Sequence, residues 1–148
     1  ITTYRRLAEH AIEDMMDVLG DVKGPWTDRY ALPGGDFPVD GVRSQVDALC
    51  VAAPFLDESW ALRLVRAYGT HAHHAIGDVE TQDDLGEIFG ATLCEREVEW
   101  LEKFEFARSA EDILWRRSKL GLHMTQDEQR AFKDWYAGRR VGQAQVAE

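Results

Sequence analysis

The densest group of side chains that could do chemistry is a histidine cluster formed by His71, His73 and His74. Imidazole nitrogens are common zinc ligands. On a helix, His71 and His74 share one face because they are three residues apart, whereas His73 points elsewhere. No carboxylate lies one turn away on the shared face, since the next acidic residues follow Gly77. We therefore predict no metal site and interpret these histidines as part of a solvated helix end.

Motifs that cradle phosphate or activate a nucleophile are absent from the sequence. None of the 12 glycines is separated from another by a single residue, and there is neither a G-x-G-x-x-G fingerprint nor a Walker loop. The run 32–35, Leu-Pro-Gly-Gly, indicates a tight turn rather than an anion nest. None of the four serines lies in a nucleophile elbow. We therefore assign no catalytic residue to this chain.

Opposite charges are concentrated in two consecutive stretches. Residues 78–105 include ten acidic and two basic side chains, and residues 108–140 include eight basic and five acidic ones. We expect the two stretches to pair as helices, with Arg116 and Arg117 contacting the acidic side chains. The alternative is that Arg116, Arg117 and Lys119 receive an anionic ligand or partner.

The elements that must position these residues are helices. The first is predicted from apolar residues at spacings of three and four, which is typical of an amphipathic helix. These residues are Tyr4, Leu7, Ala8, Ala11, Ile12, Met15, Met16 and Leu19. Thr2 or Thr3 can cap its N-terminus, and Gly20 can end it. Residues 21–41 combine glycine and proline turns with large apolar side chains, which indicates a linker packed on the domain surface.

Helical periodicity continues beyond residue 42. The predicted N-caps are Asp57, Thr70, Ser109 and Thr125, the last two within capping boxes. The predicted helix ends lie at Pro54, Gly69, Gly77 and Gly121. The helix over residues 93–104 carries one polar residue, Glu97, on its apolar face, and no hairpin signal occurs.

We predict an all-α fold, an irregular bundle of about six helices preceded by a long N-terminal helix. Its parts are a terminal helix over residues 1–20, a packed linker over 21–41 and a helical domain over 42–148. The chain begins without Met and enters a helix at once, so we expect a piece of a longer protein.

Composition excludes several function classes. The net charge of -10 repels the phosphates of nucleic acid and anionic lipid, so we expect neither nucleic-acid binding nor direct membrane contact by this domain. No apolar run approaches the length of about 20 residues that a membrane span needs. Cys50 and Cys94 are too few for a disulfide framework and fit a reducing cytoplasm.

Several segments, taken in order, resemble one family. They are Thr-Thr-Tyr-Arg-Arg-Leu-Ala-Glu at 2–9, Leu-Pro-Gly-Gly at 32–35, Tyr-Gly at 68–69, Asp-Leu-Gly at 84–86, Phe-Gly at 89–90 and Asp-Ile-Leu-Trp-Arg-Arg-Ser-Lys-Leu-Gly-Leu at 112–122. Together they are similar to the C-terminal part of the flavin-dependent glycerol-3-phosphate dehydrogenases and the related α-glycerophosphate oxidases. The resemblance covers nearly the whole chain.

The resemblance implies a parent enzyme with a FAD-binding domain of Rossmann type, a substrate domain and then a helical cap. Such a parent oxidises sn-glycerol 3-phosphate to dihydroxyacetone phosphate, reduces FAD and passes electrons to quinone or oxygen. It is cytoplasmic and attaches peripherally to the cytoplasmic face of the membrane. Thr2 and Thr3 are the only positions that the resemblance assigns to the flavin, at the start of the first helix.

By the same resemblance, this chain is a non-catalytic cap that holds no flavin by itself and whose partner is its own FAD-binding domain. Removal of that domain leaves the first helix without cover, and we expect the helix to pack against a second copy, fold back on the cap or fray. The alternative function is a helical protein-interaction module from an unrelated protein. A third hypothesis is a metal-dependent enzyme that uses the histidine cluster.

Overall fold

The structure is a computed structural model that describes residues 3–20 and 24–146, with side chains described up to Arg139. Within those residues, seven α-helices and one small antiparallel sheet follow one another, which confirms the predicted helical fold. They are α1 (Tyr4–Asp14), α2 (Met16–Leu19), α3 (Val42–Ala52), α4 (Glu58–Tyr68), α5 (Ala72–Ile76), β1 (Ile88–Gly90), β2 (Leu93–Cys94), α6 (Glu95–Phe104) and α7 (Gln126–Val146). Short 3-10 turns lie at Thr27–Arg29, Gly69–His71, Gln82–Leu85 and Leu120–Leu122, and a π-helix spans Asp112–Arg117.

Most helix boundaries lie where local chemistry predicts them. The carboxylate of Asp57 accepts a hydrogen bond of 2.8 Å from the backbone N–H of Trp60 and so caps α4. Gly69 ends α4 and Gly77 ends α5, both at positive φ, which costs least for glycine. Helix α3 ends before Pro54 because the residue preceding proline disfavours the helical conformation.

Both predicted capping boxes are formed. The N–H of Thr125 donates to the Glu128 carboxylate at 2.6 Å, and the N–H of Glu128 donates back to the Thr125 hydroxyl at 3.2 Å. Ser109 and Asp112 bond reciprocally at 3.0 and 3.1 Å. A further N–H bond from Arg108 is the largest of the contacts that hold the pKa of the Asp112 carboxyl below its usual range. These boxes fix where the π-helix segment and α7 begin.

The hairpin of β1 and β2 was not predicted. The two strands pair antiparallel with Ile88 opposite Cys94. The turn between them is Ala91 and Thr92, at φ of 45° and 67°. The strands are only three and two residues long, and their turn lacks the Asn-Gly or Asp-Gly pair that usually identifies a hairpin in a sequence.

The predicted helix end at Gly121 is wrong. The preceding segment is a π-helix, in which the N–H of Ser118 bonds the carbonyl of Ile113, five residues earlier, at 3.1 Å. The chain leaves this helix at Lys119, which adopts a left-handed conformation with φ of 61°. Gly121 follows within a 3-10 turn.

One continuous core is enclosed by α3 to α7 and the π-helix. Its fully buried side chains come from each of these elements, and burial of each large one is worth about 1.5 to 3 kcal/mol. They include Leu49, Leu64, Ile76, Leu85, Leu93, Leu101, Ile113, Leu114 and Phe132. This core supports the sites described below.

Helices α1 and α2 lie outside that core. No described residue of either helix is buried, although the predicted apolar stripe is present. Leu7 is 61% exposed, Ile12 is 45% exposed and Leu19 is 55% exposed. The helix pair therefore presents a row of large apolar side chains to solvent.

Candidate functional site

The glycines of the family-like segments mark places where backbones meet. Gly34 and Gly69 face each other, and the carbonyl of Gly34 accepts a hydrogen bond of 2.9 Å from the N–H of Thr70. A Cβ atom on Gly69 would lie 1.8 Å from that carbonyl oxygen, and one on Gly34 would lie 2.2 Å from the carbonyl oxygen of Tyr68. The Leu-Pro-Gly-Gly turn is thus fixed on the end of α4.

At two further glycines, a side chain from another segment packs against the glycine backbone. A Cβ on Gly90 would lie 2.7 Å from the carboxylate of Glu128, the capping residue of α7. A Cβ on Gly121 would lie 2.7 Å from the indole ring of Trp115. These glycines therefore hold the hairpin against α7 and the 3-10 turn against the π-helix, which gives the resemblance a structural basis.

A buried ion pair joins α4 to α6. Glu97 is fully buried, and its two carboxylate oxygens accept hydrogen bonds from the Arg63 guanidinium at 2.8 and 2.7 Å. The hydroxyl of Tyr68 donates to the same carboxylate at 2.6 Å. Arg63 also donates to the hydroxyl and the carbonyl of Thr92 in the hairpin turn, at 2.6 and 2.9 Å. The pair therefore connects two helices and the hairpin.

The electrostatics of this pair follow from burial and charge. Burial by itself lowers the pKa of the Arg63 guanidinium, but the hydrogen bonds and charge of Glu97 more than offset it and raise the pKa. Burial, and then the charge of Glu97, raise the pKa of Tyr68 far above its usual value. From the sequence, Glu97 is recognisable as a polar residue on an apolar face, but its partner Arg63 is not.

The basic stretch contacts the acidic one, but not through the predicted residues. Arg139 on α7, with 17% of its side chain exposed, lies 2.7 Å from Glu95, 3.2 Å from Glu99 and 3.6 Å from Glu102, all on α6. These acids recur every three or four residues and so line one face of α6. The expected attraction between the stretches therefore exists at α6 and α7.

The prediction that Arg116 and Arg117 contact acidic side chains of residues 78–105 is wrong. Arg116 pairs with Asp112 on its own helix at 2.8 Å, because the two are four residues apart. Arg117 donates to the backbone carbonyl of Glu105 at 2.6 Å, and Lys119 donates to the carbonyl of Trp115 at 2.7 Å. Two of the three basic side chains, Arg117 and Lys119, therefore donate hydrogen bonds to backbone carbonyls of this chain.

The histidines surround an aromatic side chain of α6. The rings of His71 and His74 lie 5.7 Å apart, and their centroids lie 5.9 and 6.3 Å from that of Trp100. His73 lines a cleft on the same end of the bundle. In the part of the chain that the structure describes, no three His, Cys, Asp or Glu side chains converge to hold a metal ion.

Of the two residues assigned to the flavin, Thr2 lies outside the described residues. Thr3 precedes α1 and is exposed, and its hydroxyl makes no capping bond. Its carbonyl accepts the first helical bond, from the N–H of Leu7 at 3.0 Å. The helix begins here as predicted, although the expected side-chain cap is missing.

Helix α1 is tied to the linker by polar contacts. The Glu9 carboxylate accepts from the N–H of Thr27 at 3.1 Å and from its hydroxyl, and these bonds lower the pKa of Glu9. Arg5 donates to the Thr27 hydroxyl at 3.0 Å. The contacts orient α1 and leave its apolar face open.

None of the helices within residues 3–20 and 24–146 combines the length and hydrophobicity that a bilayer span requires.

Comparison with known proteins identifies the family. Residues 25–135 match the family model for the C-terminal domain of alpha-glycerophosphate oxidase. The chain is 41% identical over 129 residues to a glycerol-3-phosphate dehydrogenase of Pseudomonas aeruginosa, and this match covers 87% of the chain and 25% of that relative. It is 39% identical over 136 residues to the aerobic glycerol-3-phosphate dehydrogenase of Escherichia coli, covering 91% of the chain and 27% of the relative.

A third relative differs in its named substrate. The D-erythritol 1-phosphate dehydrogenase of Brucella abortus is 32% identical over 136 residues, which covers 92% of the chain and 27% of that protein. The chain thus spans about a quarter of the length of the curated relatives it matches. The chain belongs to the family of the glycerol-3-phosphate dehydrogenases and alpha-glycerophosphate oxidases, of which it forms the C-terminal domain.

Proposed function

We propose that this chain is the helical cap of a FAD-dependent enzyme that oxidises sn-glycerol 3-phosphate to dihydroxyacetone phosphate. The family membership and the named activities of two relatives support this. When bound by the preceding domain, FAD would supply the acceptor for the hydride of the secondary alcohol and the route of the electrons to quinone, and Thr2 and Thr3 are the residues of this chain that would contact it. Because membership of this family is established, the alternative of an interaction module from an unrelated protein falls away.

The cap's role in this proposal is to dock on the FAD-binding domain and not to react. The observation that carries it is the open apolar face of α1 and α2, whose large side chains include Leu7, Ile12, Met15, Met16 and Leu19. Full burial of such a side chain is worth about 1.5 to 3 kcal/mol, and these five are 40 to 61% exposed, so covering them could supply on the order of 4 to 7 kcal/mol. The enzyme's own FAD-binding domain is the proposed cover, and a second copy of the chain is the other candidate.

The start of α1 fits a place beside the flavin. The hydroxyl of Thr3 has no hydrogen-bond partner among the described residues, and the first backbone N–H groups of a helix lack internal acceptors. Both would donate to the flavin's carbonyl oxygens, and the positive end of the helix dipole favours negative charge on the reduced ring. Thr2 is proposed to act with Thr3 in this position.

The whole enzyme is further proposed to be cytoplasmic and to attach peripherally to the cytoplasmic face of the membrane, where quinone is available. The acidic cap, as part of a chain with a net charge of -10, would face water rather than anionic lipid.

The experiment uses a protein in which this chain follows a flavin-binding domain. Anaerobic addition of sn-glycerol 3-phosphate should bleach the flavin absorbance, and a ubiquinone analogue should restore it. D-erythritol 1-phosphate serves as the competing substrate because one relative is named for it. Bleaching by erythritol phosphate alone would contradict the glycerol phosphate assignment, and protein without bound flavin would contradict the family chemistry altogether.

A parallel measurement concerns the 148-residue chain by itself. Purified chain should be colourless and should show no glycerol 3-phosphate oxidation, because a dinucleotide of this size needs a strand-to-helix phosphate site. Flavin absorbance that stays with the chain through gel filtration would contradict the non-catalytic role.

A further inference from the structure

A cleft of about 800 Å³ lies where the C-terminal ends of α3 and α5 meet one face of α6. Its apolar lining consists of Ala52, Ala53, Ile76, Val79, Trp100 and Phe104. Phe104 is 50% exposed, which leaves part of an aromatic face open to a ligand. The volume lies within the range of about 300 to 1,000 Å³ that is typical of small-molecule sites.

The charges around this cleft are negative. Asp78 and Glu80 line it, and neither carboxylate has a hydrogen bond or ion pair with another described residue. Helix α3 ends at the cleft, and the last carbonyls of a helix carry partial negative charge. Within the described residues, no lysine or arginine contributes to the lining. The cleft therefore favours a cation.

The aromatic wall of the cleft, formed by Trp100 and Phe104, adds a second preference for positive charge. The rings of Trp100 and Phe104 lie 4.2 Å apart, and His74 stacks on Trp100 with an interplanar angle of 11°. Aromatic faces attract ammonium groups, most strongly at tryptophan. Lys103, the preceding residue on α6, places its ammonium group 5.0 Å from the centroid of the Phe104 ring.

One polar group of the lining could orient an ammonium ligand. His73 lines the cleft, and a neutral imidazole nitrogen can accept a hydrogen bond from an ammonium group. The indole N–H of Trp100 is buried and can only donate a hydrogen bond, so it serves as a spectroscopic reporter of the cleft and not as a contact of the cation.

We propose that this cleft binds a small organic cation with an apolar body, of the alkylammonium or arylammonium class, with the ammonium group between Asp78 and Glu80 and the apolar body against Trp100 and Phe104. The proposal is independent of the oxidation reaction, since it concerns a ligand of the cap alone. The ligand's apolar part would cover side chains that now face solvent, and its charge would pair with carboxylates that have no partner among the described residues.

The test follows the Trp100 indole N–H by NMR in the 148-residue chain, with Trp100→Phe used to assign the signal. The probe is 2-phenylethylammonium, and the control ligand is 3-phenylpropanoate, which has the same ring and the opposite charge. The ammonium probe should shift the signal in a saturating manner below about 10 mM. The carboxylate should leave it unchanged, and rising salt should weaken the binding of the cation.

A pair of matched variants tests the role of the two acids. Asp78→Asn with Glu80→Gln should weaken binding by about five-fold to ten-fold, because two partly solvated charge pairs are lost. Asp83→Asn with Glu87→Gln makes the same charge change outside the cleft and should alter binding by less than about two-fold. All four positions are exposed, so both variants should keep the fold.

Three results would overturn the proposal. They are a Trp100 signal that does not saturate with the ammonium probe, equal binding of the phenylpropanoate, and an equal loss of affinity in the two variant pairs.

Discussion

Arg63 and Glu97 lie 34 residues apart in the sequence and form a two-pronged ion pair inside the cap, with N–O distances of 2.8 and 2.7 Å. The carboxylate is fully buried, and 22% of the arginine side chain is exposed. The planar guanidinium matches both carboxylate oxygens, which a lysine ammonium group could not do. This pair fixes α4 against α6 and reaches the hairpin turn through Thr92.

Replacing Glu97 by Leu should lower the free energy of unfolding by about 3 to 5 kcal/mol, because the change leaves a largely buried guanidinium without its carboxylate. The double variant Arg63→Met with Glu97→Leu should recover part of this loss, since both charges are then removed while the buried Tyr68 hydroxyl still lacks its acceptor. Urea unfolding of the single and double variants measures the coupling. Additive losses in the double variant would contradict the importance of the pair.

The sequence could identify one half of this pair and not the other. Glu97 is recognisable because it interrupts the apolar face of a predicted helix. Burying a carboxylate there without a partner would cost much free energy, so a partner is expected. Arg63 looks like an ordinary surface residue of α4, and only the packing of α4 on α6 places it opposite Glu97. Long-range partners of this kind depend on the angle between two helices, which helix periodicity does not specify.

Gly69→Ala should destabilise the chain by at least about 2 kcal/mol. Its φ of +58° disfavours a side chain, and a Cβ atom would lie 1.8 Å from the carbonyl oxygen of Gly34. Gly138→Ala is the matched control, because no atom lies within 4 Å of the added Cβ on α7. That variant should gain up to about 1 kcal/mol through helix propensity. Thermal melts that rank the two variants in the opposite order would contradict the close approach at Gly34.

Arg139→Ala should destabilise the chain by about 2 kcal/mol and loosen α7 from α6, because Glu95 and Glu102 then have no cation among the described residues and Glu99 keeps only Arg96, at 3.6 Å. Arg130→Ala removes an exposed pair with Asp127 and should cost less than about 1 kcal/mol. Chemical denaturation compares the two arginine variants. Equal losses would show that the Arg139 cluster contributes no more than an ordinary surface pair.

The two cysteines should differ in reactivity. Burial raises the pKa of the Cys94 thiol to about 12, so little thiolate forms at that site between pH 8 and 9.5, whereas Cys50 is only partly buried. Iodoacetamide in this pH range should therefore add one group, at Cys50, and the second group should appear only in urea. Mass spectrometry counts the added groups in the folded and the urea-unfolded chain. The Cys50→Ala variant is the control and should stay unmodified when folded. Rapid alkylation of Cys94 in that control would contradict its burial.

Local signals predicted the helix boundaries well where one side chain decides the boundary. Asp57 caps α4 and Thr125 caps α7 because each supplies an acceptor to backbone N–H groups a few residues ahead. The departures occur where ordinary residues adopt positive φ, as Thr92 does in the hairpin and Lys119 does after the π-helix. Those conformations depend on surrounding packing, and neither residue type indicates them.

The same distinction applies to the proposed docking face. The apolar stripe of α1 was predicted from spacing alone, and the structure shows that this chain leaves it open. Which surface covers it depends on residues outside the stripe, so the pattern identifies a docking face without identifying the partner.

The most direct test is amide hydrogen exchange of α1 and α2, compared between the 148-residue chain and a protein in which the chain follows its flavin-binding domain. We expect fast exchange of α1 and α2 in the isolated chain, because a short exposed helix is marginal in water, and protection of at least about 100-fold in the longer protein. Exchange in α4 and α6 should be equally slow in both. Equally fast exchange of α1 in both proteins would contradict docking through this face, and equally slow exchange would show that the cap or a second copy already covers it.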